Sequence, residues 1–155
     1  MPERRRTTGT FEIERTTGSL EVLERLFVYG TLRQGQTARS LIANQITRSE
    51  PATTTGRIYA FPTGYPAFSD HARGRVTGEV LWLTELPATF GLLDAYEGAE
   101  FARVIKQVTL ATGEEVWAWI YTLADPAAVQ YGALIEDGDW VRHWQAHLQW
   151  ARLIG

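Results

Sequence analysis

Phe27-Val28-Tyr29-Gly30-Thr31-Leu32-Arg33-Gln34-Gly35 is the stretch on which the fold turns. An apolar, β-prone run breaks at Gly30, and a second glycine follows at Gly35. This is the pattern of a buried strand entering a tight loop that exposes its backbone. Such a loop can aim several N–H groups at one point, where a carbonyl or anionic oxygen would sit. Most strand–glycine junctions are ordinary turns, so this one gains chemical meaning only with a second group. The sequence offers Glu97.

Outward from the loop, Ala38 to Ala43 suits one or two helical turns, with Leu41 and Ile42 as apolar contacts. Ile58-Tyr59-Ala60-Phe61 reads as a strand closed by Pro62 and Gly64. Tyr65-Pro66-Ala67 then interrupts any regular pattern, since proline lacks a ladder donor. Val76 to Leu83 alternates Val76, Gly78, Val80 and Trp82 against Leu81 and Leu83, as a strand covered on both faces does. Thr84 is the expected N-cap of a short helix with Leu86, Phe90 and Leu93 on one side and a stop at Gly98. Val104 to Leu110 and Val116 to Leu123 form a hairpin about Ala111-Thr112-Gly113-Glu114. Its second arm sets Trp117, Trp119 and Tyr121 against Val116, Ala118 and Ile120. Asp137-Gly138-Asp139 opens a last helix, with Trp140, Trp144, Leu148 and Ala151 in one stripe. Short strands with few helices predict an α+β domain, a small barrel or strongly curled sheet.

With 155 residues, 45% hydrophobic and 21% charged, the chain has the make-up of one globular domain. Residues 1–24 read as a polar extension and residues 25–155 as the domain. Arg4-Arg5-Arg6 is followed by polar residues, not by the apolar core of an export signal. A net charge of −3 gives no basic face for nucleic acid, and no run is long enough to span a membrane. Cysteine is absent, which removes thiolate nucleophiles and cysteine-ligated metals and favours the cytoplasm.

The candidate chemistry is sparse. Glu97 lies at i+7 from Phe90 and i+4 from Leu93, on the face expected to meet the core. Burial there favours the protonated carboxyl, as a general acid–base requires. A helix-terminal glutamate turned to water is the competing reading. His71 sits in a charged loop, and His143 and His147 lack a matching acid for a metal site. Ser40, Ser49 and Ser69 have no nucleophile-elbow context, and both glycine-rich nucleotide cradles are missing. The six tryptophans fall on strands or at helical spacing, as core residues do.

Taken in order, Tyr29-Gly30-Thr31-Leu32-Arg33, Tyr65-Pro66-Ala67, Gly78-Glu79-Val80, Leu93-Asp94-x-Tyr96-Glu97-Gly98 and Gly138-Asp139-Trp140 resemble the γ-glutamylcyclotransferase-like superfamily, in its AIG2-like branch. The likeness runs from Leu26 to Trp144. It implies a small mixed β-barrel with flanking helices and a cavity beside the Tyr-Gly-Thr-Leu loop. It also implies cyclisation of a γ-glutamyl amine or dipeptide to 5-oxoproline, with release of an amine or amino acid and no cofactor or metal. By the resemblance Glu97 matches the acid–base residue, and Tyr29, Gly30, Thr31, Leu32 and Arg33 match the substrate-gripping loop. Tyr121 matches a pocket-lining aromatic, or is an ordinary barrel tyrosine. Phe101 stands where members often carry tyrosine, and Thr37-Ala38-Arg39 replaces a usually polar or histidine-rich stretch. The alternatives are a module that binds a small metabolite in the same cavity without turnover, and acyl transfer on another amide. Selectivity is expected from Gln34 to Arg39, Phe68 to Arg75 and Gln130 to Asp137.

Overall fold

Runs such as Leu26-Phe27-Val28 need cover on both faces, and the computed structural model, which describes residues 24–154, provides it. The polar extension expected over residues 1–24 lies outside the described residues, except for Glu24. In chain order the elements are β1 (Arg25–Val28), β2 (Ile46–Thr55), β3 (Arg57–Ala60), β4 (Pro66–Ser69), β5 (Arg75–Leu83), α1 (Leu86–Glu97), β6 (Phe101–Leu110), β7 (Glu115–Leu123), β8 (Ala133–Leu134) and α2 (Trp140–Ile154). A closed barrel runs β1-β5-β2-β6-β7, and a smaller sheet runs β4-β3-β8. β1 pairs antiparallel with β5, from Arg25↔Trp82 to Val28↔Glu79, and closes the barrel by parallel pairing with β7 at Leu26↔Trp119.

Period-2 alternation divides the strand side chains between two cores. Phe27, Val76, Val80, Ala118 and Ile120 gather in one, together with Ile58, Phe68 and Trp140. Leu26, Val28, Leu81 and Leu83 join the other, where α1 lays Leu86, Phe90 and Leu93. Leu86 and Leu93 are fully buried, each stabilising by about 1.5–3 kcal/mol on hydrophobic transfer. That packing fixes the axis of α1, and with it the direction in which Glu97 leaves the helix.

Four expectations need correction or refinement. Thr84 does not cap α1: its N–H and hydroxyl both turn to the Gln45 carbonyl, at 2.9 and 3.4 Å. Glu85 precedes the helix in a left-handed conformation (φ 52°) with no side-chain cap. Pro87 in the first turn has no N–H, so a cap has less to serve. The break expected at Tyr65-Pro66-Ala67 is instead the start of β4. Pro66 is the first residue of an edge strand, the place where a missing donor costs least. The ten-residue β2, Ile-Thr-Arg-Ser-Glu-Pro-Ala-Thr-Thr-Thr, carries little apolar signal and was not expected. It is held by register with β5, and its Pro51 precedes the short ladder to β6 at Ala52 and Thr53. The helical turns after the loop are 3-10 turns, Arg39–Leu41 and Ala43–Gln45, and Ile42 is fully buried while Leu41 is exposed.

α1 stops where expected: Gly98 takes φ 86°, and its N–H donates to the Asp94 carbonyl. The β6–β7 hairpin pairs from Phe101↔Leu123 to Thr109↔Glu115. In α2 the apolar stripe is buried at its start, at Trp140, and exposed by Leu148. Ala151 of that stripe falls outside the described side chains.

Candidate active site

A cavity of about 280 Å³ opens where β1 runs out into its loop. The loop supplies Tyr29, Gly30, Thr31 and Leu32, and the approach to β4 supplies Tyr65 and Pro66. The end of α1 supplies Tyr96 and Glu97, followed by Glu100 and Phe101, and β7 supplies Tyr121. Of the residues singled out in the sequence, Glu97, Tyr29, Gly30, Thr31, Leu32 and Tyr121 therefore share one wall. Arg33 does not: its guanidinium turns to Glu79 at 3.4 Å and Asp139 at 3.0 Å. The wall contains none of Gln34 to Arg39, Phe68 to Arg75 or Gln130 to Asp137, the stretches expected to set selectivity.

The loop's backbone explains why its glycine matters. The Gly30 carbonyl accepts from Arg33 N at 3.0 Å, and the Thr31 carbonyl accepts from Ala38 N at 2.9 Å. In a planar trans peptide the following N–H points the opposite way. The N–H groups of Thr31 and Leu32 thus face away from these bonds, and neither has a partner among the described residues. A Cβ on Gly30 would lie 2.5 Å from Pro66 Cγ. Only glycine lets the loop and β4 approach so closely.

Glu97 occupies the last turn of α1 with its carboxyl partly buried, and burial pushes its pKa from 4.5 to about 7. No hydrogen bond or ion pair engages that carboxyl among the described residues. Desolvation without a compensating partner favours the protonated form. The result is a carboxyl that both holds and releases a proton near neutrality.

The hydroxyls of Tyr29, Tyr121, Thr31 and Tyr96 are committed. Tyr29 donates to the Tyr121 carbonyl at 2.8 Å and accepts from Phe68 N at 3.1 Å. Burial, reinforced by the charge of Glu97, pushes its ionisation far up. Tyr121 donates to Asp94 Oδ1 at 2.6 Å, and burial together with that bond holds its proton as well. Asp94 is kept below the usual carboxylate range by a fork from Arg103, with Nε at 2.8 Å and Nη2 at 3.2 Å. Arg103 in turn stacks over Phe90, 3.8 Å from the ring centroid. At the mouth, Thr31 Oγ1 and the Tyr96 hydroxyl lie 2.7 Å apart. Glu100 also lines the wall, but Glu97 is the carboxyl that burial tunes to exchange a proton near neutrality.

Asp94 and Arg103 were given no role by the sequence reading, although Asp94 precedes Glu97 by three residues on the same helix. Tyr65, Pro66, Tyr96 and Glu100 were likewise unassigned.

The family model described as gamma-glutamyl cyclotransferase, AIG2-like, matches residues 26–142. The gamma-glutamylcyclotransferase family protein ytfP of Citrobacter rodentium is 31% identical over 122 residues, which are 76% of this chain and 95% of that protein. The crystal structure of YkqA from Bacillus subtilis superposes with a TM-score of 0.65 at 26% identity, over 81% of this chain and 42% of that longer one. An AIG2-like protein from mouse superposes with a TM-score of 0.64 at 23% identity, over 76% of this chain and 87% of that one, a likeness of fold.

Proposed function

Because the chain belongs to the gamma-glutamyl cyclotransferase, AIG2-like family, we propose that it cyclises a γ-glutamyl amine or dipeptide to 5-oxoproline and releases the amine or amino acid. The observation that carries this reading is a partly buried, unpartnered Glu97 carboxyl sharing a cavity with two free backbone N–H groups. Nucleophile and electrophile belong to one molecule, so the protein needs no nucleophilic side chain and no cofactor. Its work is to fold the substrate into a ring-closing pose and to move protons.

Glu97 as carboxylate takes a proton from the substrate's α-ammonium, and the freed amine attacks the γ-carbonyl carbon. A C–N bond forms, and the carbonyl oxygen becomes an oxyanion. The N–H groups of Thr31 and Leu32 are the donors for that charge. Glu97 returns its proton to the departing nitrogen, and the old C–N bond breaks. Glu97 then carries a second proton from the ring nitrogen to the freed amine, leaving the neutral lactam. The α-nitrogen loses two protons overall, and the leaving nitrogen gains two and departs as an ammonium. Glu97 is a carboxylate at both ends of the cycle. Tyr29 and Tyr121 shape the wall and keep their protons.

The test is release of 5-oxoproline, followed by mass spectrometry, from a panel of γ-glutamyl dipeptides and γ-glutamylamines. Release that Glu97→Gln cuts by about a thousandfold or more would fit an acid–base carboxyl. Undiminished release by that variant would remove Glu97 from the mechanism. Tight binding without turnover across the panel would favour a metabolite-binding module.

A further inference from the structure

Arg33 leaves the cavity because a second carboxylate claims it. Glu79 stands on β5 opposite Val28, the last residue of β1 before the loop. Its Oε1 accepts from Arg39 Nη1 at 2.8 Å and from Gln34 N at 3.1 Å, and its Oε2 accepts from Arg33 Nε at 3.4 Å. Arg39 Nη1 also donates to the Leu32 carbonyl at 3.2 Å, fixing the next peptide plane of the loop. Arg33 reaches on to Asp139 Oδ1 at 3.0 Å, an oxygen that also accepts from Arg142 N in the first turn of α2. The side chains of Glu79 and Arg33 are only 12% and 13% exposed. Two arginines and two acids balance, so each carboxylate neutralises charge that would otherwise be left partly buried.

Glu79 is absent from the cavity wall. We propose that Glu79 is the positioning residue of the loop: its carboxylate pins the far side, Gln34 and Arg39, and so sets where the N–H groups of Thr31 and Leu32 stand. The catalytic consequence rests on the cyclotransferase reading, whereas the mechanical one does not. A displacement of about 1 Å in oxyanion donors costs rate far more than it costs binding.

The experiment is amide hydrogen exchange on the full chain, for the wild type, Glu79→Ala and Glu79→Gln, alongside steady-state kinetics on any substrate the panel yields. Exchange over residues 30–39 is expected to quicken about tenfold in Glu79→Ala, with β6 and β7 unchanged. Glu79→Gln, which keeps an acceptor for Gln34 N but loses the charge, should fall between. Turnover should drop at least about tenfold, with KM moving less than about threefold. Loop exchange as slow as in the wild type would overturn the proposal, even if turnover fell. Exchange quickened equally in the barrel strands would also overturn it, making Glu79 a general stabiliser. A wild type with no turnover would count against the cyclotransferase reading and leave the exchange comparison to decide the role of Glu79.

Discussion

At Glu97 the native state keeps a proton that the unfolded chain has already released. The folded pKa, about 7, lies above the ordinary 4.5, so the protonated carboxyl costs the fold nothing at low pH. The penalty for charging it builds as pH rises through that window and is complete above it. Glu97→Gln is therefore expected to gain stability relative to wild type between about pH 4.5 and 7, by about 1–3 kcal/mol at the plateau. Chemical denaturation at several pH values checks this, and a constant difference would show that the carboxyl is not desolvated. The same shift places the acid limb of kcat/KM near pH 7, where a solvated glutamate would place it near 4.5. Glu97 was legible because helical spacing from Phe90 and Leu93 put it on the packed face. The Asp94–Arg103–Tyr121 chain was not. Arg103 and Tyr121 meet only through the register of β6 and β7, and no local pattern states a register. Arg33 was unreadable for a like reason, since one of its partners, Asp139, is 106 residues away.

Among the elements, β4 and the loop after β1 constrain each other at one contact. Gly30→Ala places a Cβ against the Pro66 ring, and either the loop or the edge strand must move. The expected cost is about 1–3 kcal/mol of stability, as for other overpacked sites, together with loss of 5-oxoproline release. Thermal melts and turnover measured on the same preparation check both, and full activity would mean that the close approach has no bearing on the site. β6, β7 and α1 could be read from their sequence because apolar periodicity and glycine turns agree there. β2 could not, because its Ser49, Glu50, Pro51 and Thr53 to Thr55 supply neither alternation nor bulk. Partners supply what its own side chains do not. β4 was obscured by Pro66, which reads as a break unless the strand is known to lie at an edge.

For the whole molecule, closure depends on the two ends of the barrel finding each other. β1 pairs with β7 at Leu26↔Trp119, a contact of long sequence separation, whereas β6 and β7 pair through a tight turn. Loop-closure entropy makes the local hairpin form first and the seam last. In refolding from denaturant, pulse-labelled amides of β6 and β7 are expected to be protected before those of β1. Simultaneous protection would argue against a late seam. Fold class and family were legible because the motifs mark the loop, the helix end and the entry to α2, all placed by short-range rules. The seam itself leaves no local trace.

That seam also orders events during synthesis on the ribosome. The loop after β1 is made early among the described residues, yet one wall of its cavity, Tyr121, is among the last residues of the barrel to be made. A nascent chain therefore holds the Arg25–Val28 strand as an open edge until its neighbours are translated. On the proposed cyclotransferase activity, turnover requires a complete barrel, so the appearance of 5-oxoproline release in a translation mixture is expected to time the closing of the fold.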